Sequence, residues 1–179
     1  MNLANKITLA RVFMIPLFLI VLFTGVFPSP MNRYTALAIF ILASLSDALD
    51  GYIARSRNLV TNFGKFMDPL ADKLLVSSAF ISLVQMGRIK AWVVVVIISR
   101  EFIITGFRLI AAESGVVIAA SLWGKVKTVT QMILIAVLLL NINSLFASAI
   151  EGLLIFLATT FTIISGVDYV VKNRGVLGD

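Results

Sequence analysis

Six apolar stretches, each close to the length that crosses a bilayer, leave this 179-residue chain few ways to fold. A transmembrane helix needs about 20 largely apolar residues, and in lipid its backbone N–H and C=O groups must be bonded internally. Hydrophobic residues make up 60% of the sequence and charged ones 13%, roughly half the charged share of an average soluble domain. The stretches read as helices over about Ile7–Phe27, Tyr34–Ala54, Pro69–Met86, Ala91–Ala112, Lys125–Asn141 and Leu145–Val171. The expected fold is therefore all-α, an integral membrane bundle of six transmembrane helices. Connections are short and no internal repeat or linker interrupts them, so residues 1–179 read as a single membrane domain. The first stretch contains Pro16 and runs into FPSPMNRY rather than a small-residue cleavage site. It is expected to remain as a span and not to be removed as a signal.

Basic residues orient the bundle. Lys6, Arg55, Arg57, Lys65, Lys73, Lys125, Lys127, Lys172 and Arg174 fall on one side of a six-span topology, against Arg33, Arg88 and Lys90 on the other. The positive-inside rule then places both termini in the cytoplasm, in a multi-pass protein of the cell membrane. The formal charge of +6 favours anionic lipid surfaces or phosphorylated substrates. So few charges, spread along membrane segments, do not suit nucleic acid.

There are no cysteines and no histidines. Disulfides, thiolate nucleophiles, histidine bases and most zinc sites are excluded together. A general base has to be sought among carboxylates, and a metal among hard cations held by oxygen, such as magnesium or manganese.

Against that background, two pairs of aspartates stand out in the run DALDGYIARSRNLVTNFGKFMDPLAD: Asp47 with Asp50, and Asp68 with Asp72. Carboxylates at the edge of a membrane bundle are costly, and mutual repulsion adds to the cost unless a cation lies between them. Asp47, Asp50, Gly51 and Ala54 share one helical stripe, since they are spaced three, four and seven residues apart. The two minimal side chains leave room for a bulky group near the backbone. Gly64, Asp68 and Asp72 recur at four-residue intervals, again one face if the helix is continuous. Pro69 offers an alternative, in which Asp68 caps the third span and Pro69 takes its first position. Four converging acids would supply the ligands for one or two divalent ions, and Arg55 with Thr61 could bind a phosphate or polar head group. The plainer alternative pairs each acid with Arg55, Arg57, Lys65 or Lys73 for orientation and solubility.

The full pattern, Asp47-x2-Asp50-Gly51-x2-Ala54-Arg55-x8-Gly64-x3-Asp68-x3-Asp72, resembles the signature of the CDP-alcohol phosphatidyltransferase family at every fixed position. ANKITLARVFMIPLF is similar to the family's first helix. SREFIITGFRLIAAESG and SLWGKVKTVTQM resemble the bacterial branch that makes phosphatidylglycerol phosphate.

That resemblance implies a six-span, homodimeric membrane enzyme that moves a phosphatidyl group from CDP-diacylglycerol to sn-glycerol 3-phosphate and releases CMP. It implies Asp47, Asp50, Asp68 and Asp72 as ligands of magnesium or manganese, with Asp72 also the general base. Gly51, Arg55 and Thr61 would contact the CDP head group, with Ala54 beside them. Asn5, Thr8 and Arg11 match the family pattern and could touch the nucleotide, although they also suit a capping and interfacial set. The active site would face the cytoplasm, with the diacyl tails left in lipid.

The acceptor's phosphate needs cations of its own. Glu101, Thr105 and Arg108 form a polar stripe on the fourth helix, with Arg100 beside it at mid-span, where an unpaired charge is expensive. Lys125 and Lys127 open the fifth helix. Arg100, Arg108, Lys125 and Lys127 are therefore the candidate acceptor-phosphate ligands. The competing possibility is that Glu101 neutralises an arginine for packing while the lysines set topology. Trp92 and Tyr34, near span ends, read as interfacial anchors. Rival functions are transfer to another acceptor (serine, inositol phosphate or phosphatidylglycerol), cation transport and a non-catalytic scaffold. Transport is disfavoured because the acids cluster at one face without a relay beyond it.

Overall fold

A computed structural model describes the backbone of residues 3–56, 62–113 and 121–174, and the side chains of residues 8–46, 67, 70–111 and 121–174. Among the described residues six helices follow one another: α1 (Leu3–Phe23), α2 (Met31–Ser56), α3 (Asn62–Gln85), α4 (Ala91–Glu113), α5 (Leu122–Leu140) and α6 (Leu145–Lys172). No strand occurs among the described residues, as the all-α expectation requires. Among the described residues two helices, α5 and α6, are long and apolar enough to cross a membrane, and Thr8–Phe23 is a shorter apolar stretch. Large apolar side chains also face outward on the other helices, among them Phe13, Leu42, Ile81 and Phe102. An outer surface of that kind suits lipid rather than water.

The helix ends depart from the expected spans for local reasons. α1 stops at Phe23 rather than near Phe27, because Gly25 takes a left-handed φ of 72° that the helix cannot propagate. α5 starts at Leu122, three residues before Lys125, because the Ser121 hydroxyl caps it by accepting from the Gly124 N–H at 3.1 Å. The largest difference lies in α3, which begins at Asn62 and continues through Pro69. Asp68 is therefore inside a helix and does not cap one, and Gly64, Asp68 and Asp72 lie at successive four-residue steps of a single element.

The chain divides into two compact units, Met1–Ser82 and Leu83–Asp179, the division falling within α3. In the first, α1 packs along α2. Phe18, Val21 and Leu22 of α1 and Ala36, Phe40 and Ala43 of α2 are buried. Two fully buried alanines at seven-residue spacing keep that side of α2 narrow, a common means of close approach between membrane helices. The Asn32 amide donates to the Leu22 carbonyl at 3.1 Å, tying the start of α2 to the end of α1.

In the second unit α6 lies against both α4 and α5. Leu134, Ile135, Leu138 and Leu139 of α5 are fully buried. The Gln131 amide of α5 donates to the Thr162 hydroxyl of α6 at 3.0 Å, and that hydroxyl donates onward to the Ala158 carbonyl at 2.6 Å. Between α4 and α6, Phe107 meets Tyr169 edge to face, with ring centroids 5.8 Å apart. Arg88, just before α4, bonds Glu151 near the start of α6 at 2.6 Å. α5 ends at Asn141, which adopts the left-handed conformation (φ 50°, ψ 54°), and Ser144 caps α6 by accepting from the Ala147 N–H.

Candidate active site

The two aspartate pairs sit on the last turns of α2 and the first half of α3. Asp47 and Asp50 fall within Met31–Ser56, while Asp68 and Asp72 fall within Asn62–Gln85. The side chains of Asn5, Asp47, Asp50, Gly51, Ala54, Arg55 and Asp68 lie outside the described residues, as does Thr61. Asp72 is described: it is half-buried and follows the fully buried Ala71 on α3. Among the described residues no three metal-ligating side chains come together. Thr8 and Arg11, one helical turn apart on α1, are both 1% exposed. Burial that deep is unusual for arginine and removes the pair from the interfacial surface that the sequence alone allowed.

The basic residues of the second unit separate into two groups. Lys127 is buried, and its ammonium bonds Glu101 Oε1 across from α5 to α4. Arg100 Nη1 donates to the same oxygen at 3.1 Å. The Arg100, Glu101 and Lys127 side chains are 13%, 18% and 5% exposed, so two cations and one anion share a largely dehydrated cluster. Arg100 Nε is buried without a hydrogen-bond partner among the described residues. Lys125 and Arg108 are exposed instead. Arg108 is eight residues from Arg100, roughly 12 Å along the helix axis. The structure therefore brings Arg100 and Lys127 together and leaves Arg108 and Lys125 apart from them. The expected polar stripe on α4 is also thinner than its spacing suggested, because the Thr105 hydroxyl is spent on the Glu101 carbonyl at 2.7 Å.

Arg100 also lines a groove of about 490 Å³ between α4 and α6, bounded by Ile103, Ile104, Ile163, Gly166, Val167 and Val170 among others. Gly166 makes space for the arginine stem. A Cβ there would stand 3.2 Å from Arg100 Cγ, closer than side chains normally approach.

The sequence model of the CDP-alcohol phosphatidyltransferases matches residues 1–164. The chain belongs to the CDP-alcohol phosphatidyltransferase family. It is 48% identical to the CDP-diacylglycerol–glycerol-3-phosphate 3-phosphatidyltransferase of Bacillus subtilis, over 96% of this chain and 95% of that protein. Similarity to the proteins of the same name from Rickettsia bellii and Haemophilus influenzae is 37% and 36% identity. Those matches cover 94% and 99% of this chain, and 93% and 96% of theirs. A probable phosphatidylglycerophosphate synthase of Mycobacterium tuberculosis is 41% identical over 99% of this chain and 84% of its own. The family match spans both aspartate pairs and the Arg100–Glu101–Lys127 cluster alike. Glu101 is the residue that sequence reasoning undervalued. Its one available signal was an acid beside an arginine at mid-span, and its second partner is 26 residues away on another helix.

Proposed function

We propose that this chain is an enzyme that transfers the phosphatidyl group of CDP-diacylglycerol to sn-glycerol 3-phosphate, giving phosphatidylglycerol phosphate and CMP. The observation that carries the reading is near-full-length similarity to relatives bearing that activity in their names, together with the complete aspartate signature on α2 and α3. The buried Arg100–Glu101–Lys127 cluster supports the choice of acceptor. Two cationic side chains converge there, a donor set that suits an acceptor carrying a phosphate, as glycerol 3-phosphate does.

In this reading Asp47, Asp50, Asp68 and Asp72 hold magnesium or manganese. Donors that are all carboxylate suit a hard cation, and the continuity of α3 through Pro69 supports the grouping, since it sets Asp68 and Asp72 one turn apart. Those carboxylates would hold the ion where it would screen pyrophosphate charge and stabilise the departing CMP. Asn5, Thr8, Gly51, Ala54, Arg55 and Thr61 bind the CDP portion, and Arg100 and Lys127 hold the acceptor's phosphate. Asp72 takes the proton of the acceptor hydroxyl. The hydroxyl oxygen bonds to the phosphorus that carries diacylglycerol, and the bond from that phosphorus to CMP breaks.

The protein acts as a homodimer of six-span chains in the cell membrane, with both termini and the active site on the cytoplasmic side. The distribution of lysine and arginine supports this orientation. It also lets CDP and the acceptor reach the site from water while the acyl chains stay in lipid.

The test is an acceptor panel with the purified protein in detergent, supplied with CDP-diacylglycerol and magnesium or manganese. Phosphatidylglycerol phosphate should form with glycerol 3-phosphate. Preferential product from serine, inositol phosphate or phosphatidylglycerol would reassign the acceptor. No CMP release with any alcohol would overturn the enzymatic reading.

A further inference from the structure

Three pairings fix how α4 and α6 lie against one another. Arg88 bonds Glu151, Arg100 Cγ faces Gly166, and Phe107 meets Tyr169. The partner numbers rise together, so the two helices run parallel and the groove between them points toward the C-terminal ends of both. Its walls include Val96, Ile103 and Ile104 of α4 and Ile163, Val167 and Val171 of α6. Ile103, Ile163, Val167 and Val171 are also exposed, so the groove opens to the surroundings along its length. Gly166 deepens it, since no side chain rises from α6 beside the arginine stem. A volume of about 490 Å³ falls in the range of sites that hold a small molecule. A trough with such walls excludes water and accepts hydrocarbon.

The C-terminal end of the groove has a different character. Arg108 stands one helical turn beyond Ile104 and is exposed. Its charge reaches the Tyr169 hydroxyl of α6, a residue that directly precedes the groove-lining Val170. Lys172 follows Val171, is 65% exposed and bonds Asp168 at 2.7 Å. An apolar trough with cations at one end is complementary to an amphiphile with a hydrocarbon tail and an anionic head. Basic pockets between membrane helices hold the head groups of anionic lipids by the same means. We infer that the α4–α6 groove is a binding site for an anionic phospholipid. One acyl chain lies along the trough, and the lipid phosphate sits at Arg108 with Lys172 beside it. The groove belongs wholly to the second unit, whereas the residues assigned to the CDP portion of the substrate belong to the first. The inference rests on the membrane placement proposed above and not on the identity of the acceptor.

The experiment is a lipid titration of the full chain, read by native mass spectrometry after release from detergent. Dioleoyl phosphatidylglycerol is the anionic probe and dioleoyl phosphatidylcholine its zwitterionic control. Phosphatidylglycerol should bind about tenfold more tightly than phosphatidylcholine. Arg108→Gln should remove most of that preference, the scale of one charge-assisted contact. Val167→Trp fills the trough from a position that is 60% exposed and should weaken both lipids. Ile163→Trp, also on the groove wall, serves if the Val167 variant does not fold. Val129→Trp, on the exposed face of α5, should bind both lipids as the unmodified chain does. Equal affinity for the two lipids, or an unchanged preference in Arg108→Gln, would overturn the inference. In Val167→Trp the KM for CDP-diacylglycerol should stay within about twofold; a larger rise would make the groove a seat for the substrate's own tail and overturn it. Loss of self-association in Val167→Trp with lipid binding unchanged would assign the groove to a second copy of the chain, with the same result. Absence of CMP release with every alcohol removes the enzymatic reading alone, because the titration needs no turnover.

Discussion

Lys125 and Lys127, two residues apart at the start of α5, occupy opposite environments: the first is exposed, the second 4% exposed and bonded to Glu101. Two steps on a helix turn the side chain by about 200°, so a ligand held by one lysine is out of reach of the other's face. Lys125→Ala should therefore change the KM for glycerol 3-phosphate by less than about threefold, as expected of a solvated charge. Lys127→Ala should raise it by about tenfold or more. Steady-state kinetics in mixed micelles distinguishes the two, and equal effects would place the acceptor outside the α4–α5 cluster.

Asp72→Asn preserves shape and removes the basic carboxylate from the half-buried position on α3. Turnover should fall by about 10²–10⁴-fold, the usual contribution of a general base, while CDP-diacylglycerol binding stays largely intact. Single-turnover measurements alongside equilibrium binding of the lipid nucleotide check both halves. An undiminished rate would remove Asp72 as the base.

Asp68→Ala deletes a proposed ligand one turn before Asp72. The concentration of magnesium or manganese needed for half-maximal activity should rise by about tenfold or more. A titration that superimposes on wild type would count against ligation by Asp68.

The Gln131–Thr162 bond joins α5 to α6 in a buried position. Thr162→Val keeps the side chain's shape but strips the acceptor from the Gln131 amide. Stability should drop by about 1 kcal/mol, in the range of polar contacts between membrane helices. Pairing it with Gln131→Leu should recover most of that loss, since neither partner is then left unsatisfied. Denaturant unfolding in detergent of the two single variants and the double variant measures the coupling.

Most of the helical layout was legible because apolar length is a strong signal. α4 begins at the expected Ala91 and α6 at the expected Leu145. Apolar length records where a segment suits lipid, not where hydrogen bonding ends, and this is why α3 starts seven residues before the expected Pro69. Proline inside a membrane helix is tolerated when surroundings re-satisfy the freed carbonyl, a condition that no local pattern reveals. Spacing likewise grouped Arg100, Arg108, Lys125 and Lys127 as equivalent candidates. Tertiary contact separates them, since Arg100 and Lys127 meet at the Glu101 carboxylate while Arg108 and Lys125 are exposed. The aspartate signature was the reverse case, legible as a pattern because its positions are fixed by spacing along the chain, and the structure places its two halves on the consecutive helices α2 and α3.

Only Ile142 and Asn143 separate the left-handed Asn141 from the capping Ser144. With so little chain between them and with packed flanks, α5 and α6 must double back on one another. In the proposed multi-span topology, Ser121 and Asn173, at the two open ends of this hairpin, therefore fall in the same compartment. Protease-sensitive tags placed at these two points will be cut together or protected together.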